Sequence, residues 1–175
     1  MKLVLVLSIV AGALAALAPA AGALVVRNDV RLADYRIKAD GTLLGARRAF
    51  GTPSSLDRTS DITCSATWSS LGLRIGFYNL GGLNPCGRRT GHFSHAVVTS
   101  ERWRTPRGLR IGDTGRKLRR LYPAADYHRD PGARGWWLVE RRTQVGAGGT
   151  YPGLRAVMRH GRVRSLVARY PAGGD

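Results

Sequence analysis

Gly108-Leu109-Arg110-Ile111-Gly112-Asp113-Thr114-Gly115-Arg116-Lys117-Leu118-Arg119-Arg120-Leu121-Tyr122-Pro123 is the stretch whose reading decides the fold. It reads as a short strand, a capped turn, one brief helix and a stop. Asp113 or Thr114 caps the helix, because a short side-chain oxygen there accepts from the free amides of the first turn. Asp113 also puts a negative charge at the positive end of the helix dipole. Leu118, Leu121 and Tyr122 recur at i, i+3 and i+4 and make one apolar stripe. Arg116, Lys117, Arg119 and Arg120 then line the wet side, and Pro123 forbids continuation.

A weaker copy stands 72 residues earlier, from Ile37 to Pro53. Leu109 and Ile111 match Ile37 and Ala39; Thr114 matches Thr42; Leu118, Leu121 and Tyr122 match Ala46, Ala49 and Phe50. Thr42 caps a helix that runs to Phe50, where Gly51 and Pro53 end it. Gly45 lowers the intrinsic stability of that helix, so packing must hold it.

Strand patterns follow both helices. Arg36 to Ala39 reads as a short strand, and Ser54 to Asp61 as loop. Ile62 to Trp68 alternates, with Cys64, Ala66 and Trp68 on one side. Leu73, Ile75 and Phe77 alternate with Arg74, Gly76 and Tyr78 as the partner strand of a hairpin, and Phe93 to Ser100 makes a third strand. In the second half Ala124 to Arg134 reads as polar loop and Trp136 to Arg141 as a strand. Gln144 to Gly149 is a glycine-rich connection. Leu154 to Met158 and Val163 to Val167 form a hairpin around His160-Gly161. The expected fold class is α+β: two tandem repeats, 24–104 and 105–175, each a short helix packed on a three- to four-stranded antiparallel sheet.

Met1-Lys2, the apolar run Leu3 to Leu17 and Ala21-Gly22-Ala23 have the pattern of a signal peptide over 1–23, so a secreted protein is expected. No later run is long and apolar enough to span a bilayer. Cys64 and Cys86 are the only cysteines, and in an oxidising compartment they most simply form one disulfide. Lys and Arg number 28 against 11 acidic residues. Without Lys2 the excess is still +16, a field that favours acidic partners. The arginines are scattered rather than blocked, and a GC-rich coding bias explains them as readily as an anion site does.

Gly112-Asp113-Thr114-x-x-x-Leu118-x-x-Leu121-Tyr122-Pro123 and Thr42-x-x-x-Ala46-x-x-Ala49-Phe50-Gly51-Thr52-Pro53 resemble an element of the small outer-membrane assembly lipoproteins of the SmpA/OmlA type. Its tandem duplication in a secreted chain is similar to the beta-lactamase inhibitory protein family. The resemblance implies a helical segment plus a four-stranded antiparallel sheet in each repeat. It also implies paired sheets with a concave face that grips a protein, and disulfides that brace the strands. None of that family's binding residues carries over position by position, and inhibition of a beta-lactamase is not implied.

Few residues suggest catalysis. His92 and His95 form an H-x-x-H pair, but three positions apart on a strand point to opposite faces. Asp126, His128 and Asp130 are the best acid/base cluster, and they lie where Asp also serves as a turn former. There is no G-x-S-x-G nucleophile elbow, and Gly146-Ala147-Gly148-Gly149 lacks the Lys-Ser/Thr of a phosphate loop. No cofactor and no metal are expected.

Trp136 and Trp137 are more informative, because consecutive strand residues face opposite ways. Trp136 shares the helix-facing side with Cys64 and Leu138. Trp137 then joins Val139, Arg141, Arg155, Val157 and Arg159 on the other, with Arg74 and Tyr78 on the matching side of the first half. Aromatics with arginines are the usual anchors of protein interfaces. The expected function is a secreted, non-enzymatic binding protein that offers Trp137, Tyr78, Arg74, Arg141, Arg155 and Arg159 to an acidic protein. Two alternatives stand beside it: a binder of an anionic polymer such as nucleic acid or wall polysaccharide, and a small secreted hydrolase built on Asp126, His128 and Asp130.

Overall fold

The computed structural model describes residues 24–28, 31–131, 134–143 and 149–170 of the chain. It is an α+β protein. β1 (Leu24–Asn28), β2 (Arg31–Leu32) and β3 (Tyr35–Arg36) open the chain, followed by α1 (Ile37–Asp40) and α2 (Leu43–Phe50). Next come β4 (Ser55–Arg58), β5 (Thr63–Trp68), β6 (Leu73–Tyr78), β7 (His92–Val98) and β8 (Trp103–Arg104). After α3 (Gly115–Leu121) the chain runs through β9 (Asp126–His128), β10 (Gly135–Thr143), β11 (Gly149–Arg159) and β12 (Arg162–Arg169).

Eight strands form one sheet in the order β4-β5-β6-β7-β12-β11-β10-β9, antiparallel throughout. Two four-strand meanders therefore meet at a seam between β7 and β12, where Ala96 faces Ala168 and Val98 faces Leu166. Pairing there removes two free strand edges that would otherwise template association with other chains. A small second sheet, β3-β2-β1-β8, ties the first strands to the link between the halves, with β1 parallel to β8.

α2 and α3 start as their threonines dictate. Thr42 Oγ1 accepts from the Gly45 amide at 3.2 Å, and Thr114 Oγ1 accepts from the Lys117 amide at 3.3 Å. Thr114 rather than Asp113 is thus the cap of α3. The Asp113 carboxylate instead accepts from the Arg110 amide at 2.8 Å and pairs with Lys117 at 2.9 Å. Asp40 works similarly before α2: it accepts from the Thr42 hydroxyl at 2.6 Å and pairs with Arg48 at 3.1 Å.

The stripes point into the core as expected. Leu43 and Ala46 of α2 are buried and Ala49 and Phe50 pack against them; Leu118 of α3 is fully buried beside Leu121 and Tyr122. Beneath lie Cys64, Ala66, Trp68, Leu73, Ile75 and Phe77 of the first hairpin and Leu154, Ala156, Leu166 and Ala168 of the second. Phe50 is an aromatic hub. Its ring centre is 5.7 Å from Trp68, 6.0 Å from Tyr35 and 6.2 Å from Trp103, all edge-on. The buried indoles are satisfied: Trp68 donates to the Gly51 carbonyl at 2.9 Å and Trp103 to the Leu71 carbonyl at 2.7 Å.

Cys64 and Cys86 form a disulfide, with Cα atoms 5.3 Å apart, pinning the loop after β6 to β5. Asn79 is buried in that loop. Its carbonyl oxygen accepts from the Gly81 amide at 2.8 Å, and its amide donates to the Thr90 carbonyl. Among the described residues, no helix is long and apolar enough to cross a membrane.

Several local expectations need correction. Arg36 to Ala39 is the end of β3 and a short helical turn, which lets both Tyr35 and Ile37 reach the core. Ser55–Arg58 and Asp126–His128 are strands, not loop. They are polar edge strands, none of whose residues is buried, so no alternation marks them in the sequence. Leu109 to Ile111 carries only a single bridge, from Arg104 to Arg110. The leader assigned to 1–23 and the connection 144–148 lie outside the described residues.

Candidate functional site

Antiparallel partners share a face of the sheet, so the register states what lies opposite the helices. One row crosses all eight strands: Ser55, Thr67, Arg74, Val97, Val167, Arg155, Trp137 and Asp126. The next row runs Asp57, Ser65, Gly76, His95 and Arg169. A third brings together Thr63, Tyr78 and His92. Among the described residues no helix covers these rows by register, for the apolar stripes of α2 and α3 pack on the opposite side.

The centre of this face is basic. His95 lies over Gly76, whose missing Cβ makes the room: a methyl group there would fall 2.4 Å from His95 Cε1. Burial pulls the His95 pKa below its ordinary value, and the positive charges of Arg169, Arg74 and Arg155 add to that effect in that order. Arg155 is itself lowered, first by burial and then by Arg169. Its guanidinium donates to the Arg134 carbonyl at 3.3 Å. Among the described residues no carboxylate pairs with Arg74, Arg155 or Arg169. Asp57 and Asp126, the acids of these rows, stand on the outermost strands. Beside Arg74 lies a shallow groove of about 270 Å³ lined by Thr67, Ser69, Val97 and Thr99.

Of the expected site residues, Arg74, Arg155 and Trp137 fall in one row, and Tyr78 lies on the same face, half-buried, its ring centre 6.0 Å from that of His92. Arg159 is exposed at the far end of β11, paired with Arg162 beside the His160-Gly161 turn. Trp137 is turned away from the helices but is only 8% exposed. The imidazole of His128 stacks on its indole at 3.6 Å and 13°, so it is a covered aromatic and not an open anchor.

Two places depart from simple alternation. The register shifts between Trp137 and Val139, so Val139 faces core-side Leu154 and packs against the core. The shift is undone at once between Val139 and Glu140, so Arg141 pairs with Tyr151 in the same register that pairs Trp137 with Arg155, and the irregularity is confined to Val139. The second shift has Gly76 facing His95 and Phe77 facing Phe93. His92 and His95 therefore lie on the same face, contrary to the unbroken-strand expectation.

Arg169 is the site residue that sequence reasoning missed, and His95 enters that reasoning only as half of an H-x-x-H pair. Gly76 at an outward-facing strand position was the available signal, since a glycine there marks a close approach. The Asp126, His128 and Asp130 cluster is opened out: both aspartates are exposed, while His128 is held against Trp137. No protein-family model, no curated protein and no solved structure matches this chain.

Proposed function

We propose that this chain is a secreted, non-enzymatic binding protein whose open sheet face receives an acidic protein. The observation that carries the reading is the cluster of Arg74, Arg155 and Arg169, which has no carboxylate partner among the described residues. Unpaired charges of one sign steer an opposite partner and reject like-charged ones. Trp137 with its stacked His128 flanks the cluster on one side, and Tyr78 with His92 on the other. Arg159 and Arg141, both exposed, extend the basic surface.

The two halves are read as tandem copies, in keeping with the resemblance to the beta-lactamase inhibitory protein family. Supporting this, each half runs from a threonine-capped helix into a four-strand meander, and the meanders meet at one seam. Strand order in the second meander mirrors that in the first.

The test is retention on the immobilised chain of proteins from the native culture medium. Retention of an acidic protein that survives moderate salt, and is lost when Arg74→Glu and Arg155→Glu are combined, supports the reading. Retention unaffected by the double charge reversal refutes it. Equal retention of DNA and anionic polysaccharide, with log affinity falling steeply against log salt, assigns the polymer alternative instead.

A further inference from the structure

We propose that Arg74, Arg155 and Arg169, arranged around His95 on the open face, form a discrete oxyanion site that takes a carboxylate of an acidic partner and loads a proton onto His95 as it does so. The proposal rests on the functional reading above only for the bearer of the carboxylate; the site itself stands on the arrangement of its residues.

Val97 and Val167 are adjacent across the seam and make an apolar floor. Arg74 and Arg155 bracket that floor from the neighbouring strands. Their Cα atoms are three strand spacings apart, roughly 14 Å, a span that two extended arginine side chains close from either end. Arg169 and His95, themselves a cross-strand pair, border the floor on the side of the next row. A single oxyanion held over Val97 and Val167 thus has guanidiniums on three sides and an imidazole beside them. Planar guanidiniums suit a carboxylate because they offer paired, parallel donors.

The groups facing His95 come from every neighbouring strand: Arg74 and Tyr78 of β6, Arg169 of β12, Arg155 of β11, and His92 of its own strand. The Ser94 hydroxyl lies 3.3 Å from its Nδ1. None of these groups is acidic. In the free protein burial and three cations therefore favour the neutral ring. A bound carboxylate neutralises part of that field and offers the ring N–H an acceptor, so the complex binds the proton more tightly than the free protein. By linkage, affinity for the anion rises as pH falls toward and below the ordinary histidine range. A fixed cluster of arginines without a titrating neighbour has no such dependence in this window.

The experiment is an NMR titration of the four histidines in the protein with its disulfide intact, using glutarate, inorganic sulfate and sodium chloride as probes. The expected result is that glutarate raises the His95 pKa and leaves His128 and His160 unaffected. Affinity referred to the glutarate dianion, after allowing for glutarate's own titration, is then about tenfold higher at pH 5 than at pH 8, the equivalent of a one-unit shift. His95→Asn removes that pH dependence but keeps the binding measured at pH 8, while Arg155→Gln with Arg169→Gln abolishes binding with an unchanged circular dichroism spectrum. A His95 pKa that does not respond to glutarate, or that responds equally to chloride at matched ionic strength, overturns the site. A pH dependence that survives His95→Asn overturns the proton linkage, and sulfate binding tighter than glutarate overturns the carboxylate assignment. Loss of every protein partner in the retention assay would sink the functional reading while leaving these titrations intact.

Discussion

Gly76→Ala is the substitution that probes the candidate site most sharply. The new Cβ would lie 2.4 Å from Cε1, 2.7 Å from Nδ1 and 3.2 Å from Nε2 of His95, and ordinary contact begins at 3.4 Å. The nearest ring atom must therefore retreat by 1.0 Å. The three nearest atoms all belong to the imidazole and none to backbone, so the ring swings outward and the sheet stays closed. Forcing a side chain off its rotamer costs about 0.5–1.5 kcal/mol. Replacing a strand glycine by alanine returns about 0.5–1 kcal/mol through reduced freedom of the unfolded chain. The two nearly cancel, and urea unfolding should place the variant within about 1 kcal/mol of the parent near neutral pH.

Acid behaviour is what should change. Unfolded His95 titrates near 6.5 and the folded residue lower, because it is buried beside Arg169, Arg74 and Arg155. Between those two values the unfolded chain holds more protons. The His95 contribution to stability is therefore complete above the unfolded value, falls as pH drops through the window, and levels off below the folded value. In Gly76→Ala the displaced ring regains water, its folded pKa climbs back toward the ordinary value, and the acid-side loss shrinks. Urea midpoints from about pH 8 to about pH 5, with the His95 titration followed by NMR, measure both effects. A loss of more than about 3 kcal/mol near neutrality would mean that the sheet opened, not the ring. An unmoved His95 titration would mean that the ring does not occupy the space over Gly76. Either result refutes the reasoning.

Other perturbations have defined outcomes. Removing the disulfide by Cys64→Ser with Cys86→Ser frees a closure spanning 22 residues and should lower unfolding free energy by about 3 kcal/mol, read from urea curves under non-reducing conditions. Leu118→Ala empties the one fully buried position of α3 and should cost about 2–5 kcal/mol, a drop visible in thermal melts. Thr114→Ala deprives the Lys117 amide of its acceptor and should cost about 1 kcal/mol, while Thr114→Asn restores most of it.

Legibility tracked the range of the interactions involved. Thr42 and Thr114 were readable as caps because a cap needs only the next three residues. The stripes Ala46, Ala49, Phe50 and Leu118, Leu121, Tyr122 were readable because helical period repeats within one or two turns. Cys64, Ala66, Trp68 and Leu73, Ile75, Phe77 alternate along one hairpin, where two adjacent strands set the pattern. The candidate site required more distant information. Val139 changed sides because β10 is irregular at Leu138, and His92 joined His95 because β7 bulges near Ser94. A bulge inserts one residue, and nothing in the local composition announces it.

By itself the sequence determined the two capped helices and their buried stripes, the hairpins with an apolar side, and the disulfide between its only two cysteines. Those follow from local capping, from periodicity and from the absence of a competing thiol. The tertiary structure alone decided that both meanders share one eight-stranded sheet, that polar segments complete its edges, and which arginines stand together. Arg74 is far along the chain from Arg155 and Arg169, which share one hairpin, and all three look like members of a scattered excess. Only the pairing of β7 with β12 brings them around His95, because cross-strand neighbours are set by register and not by distance in sequence.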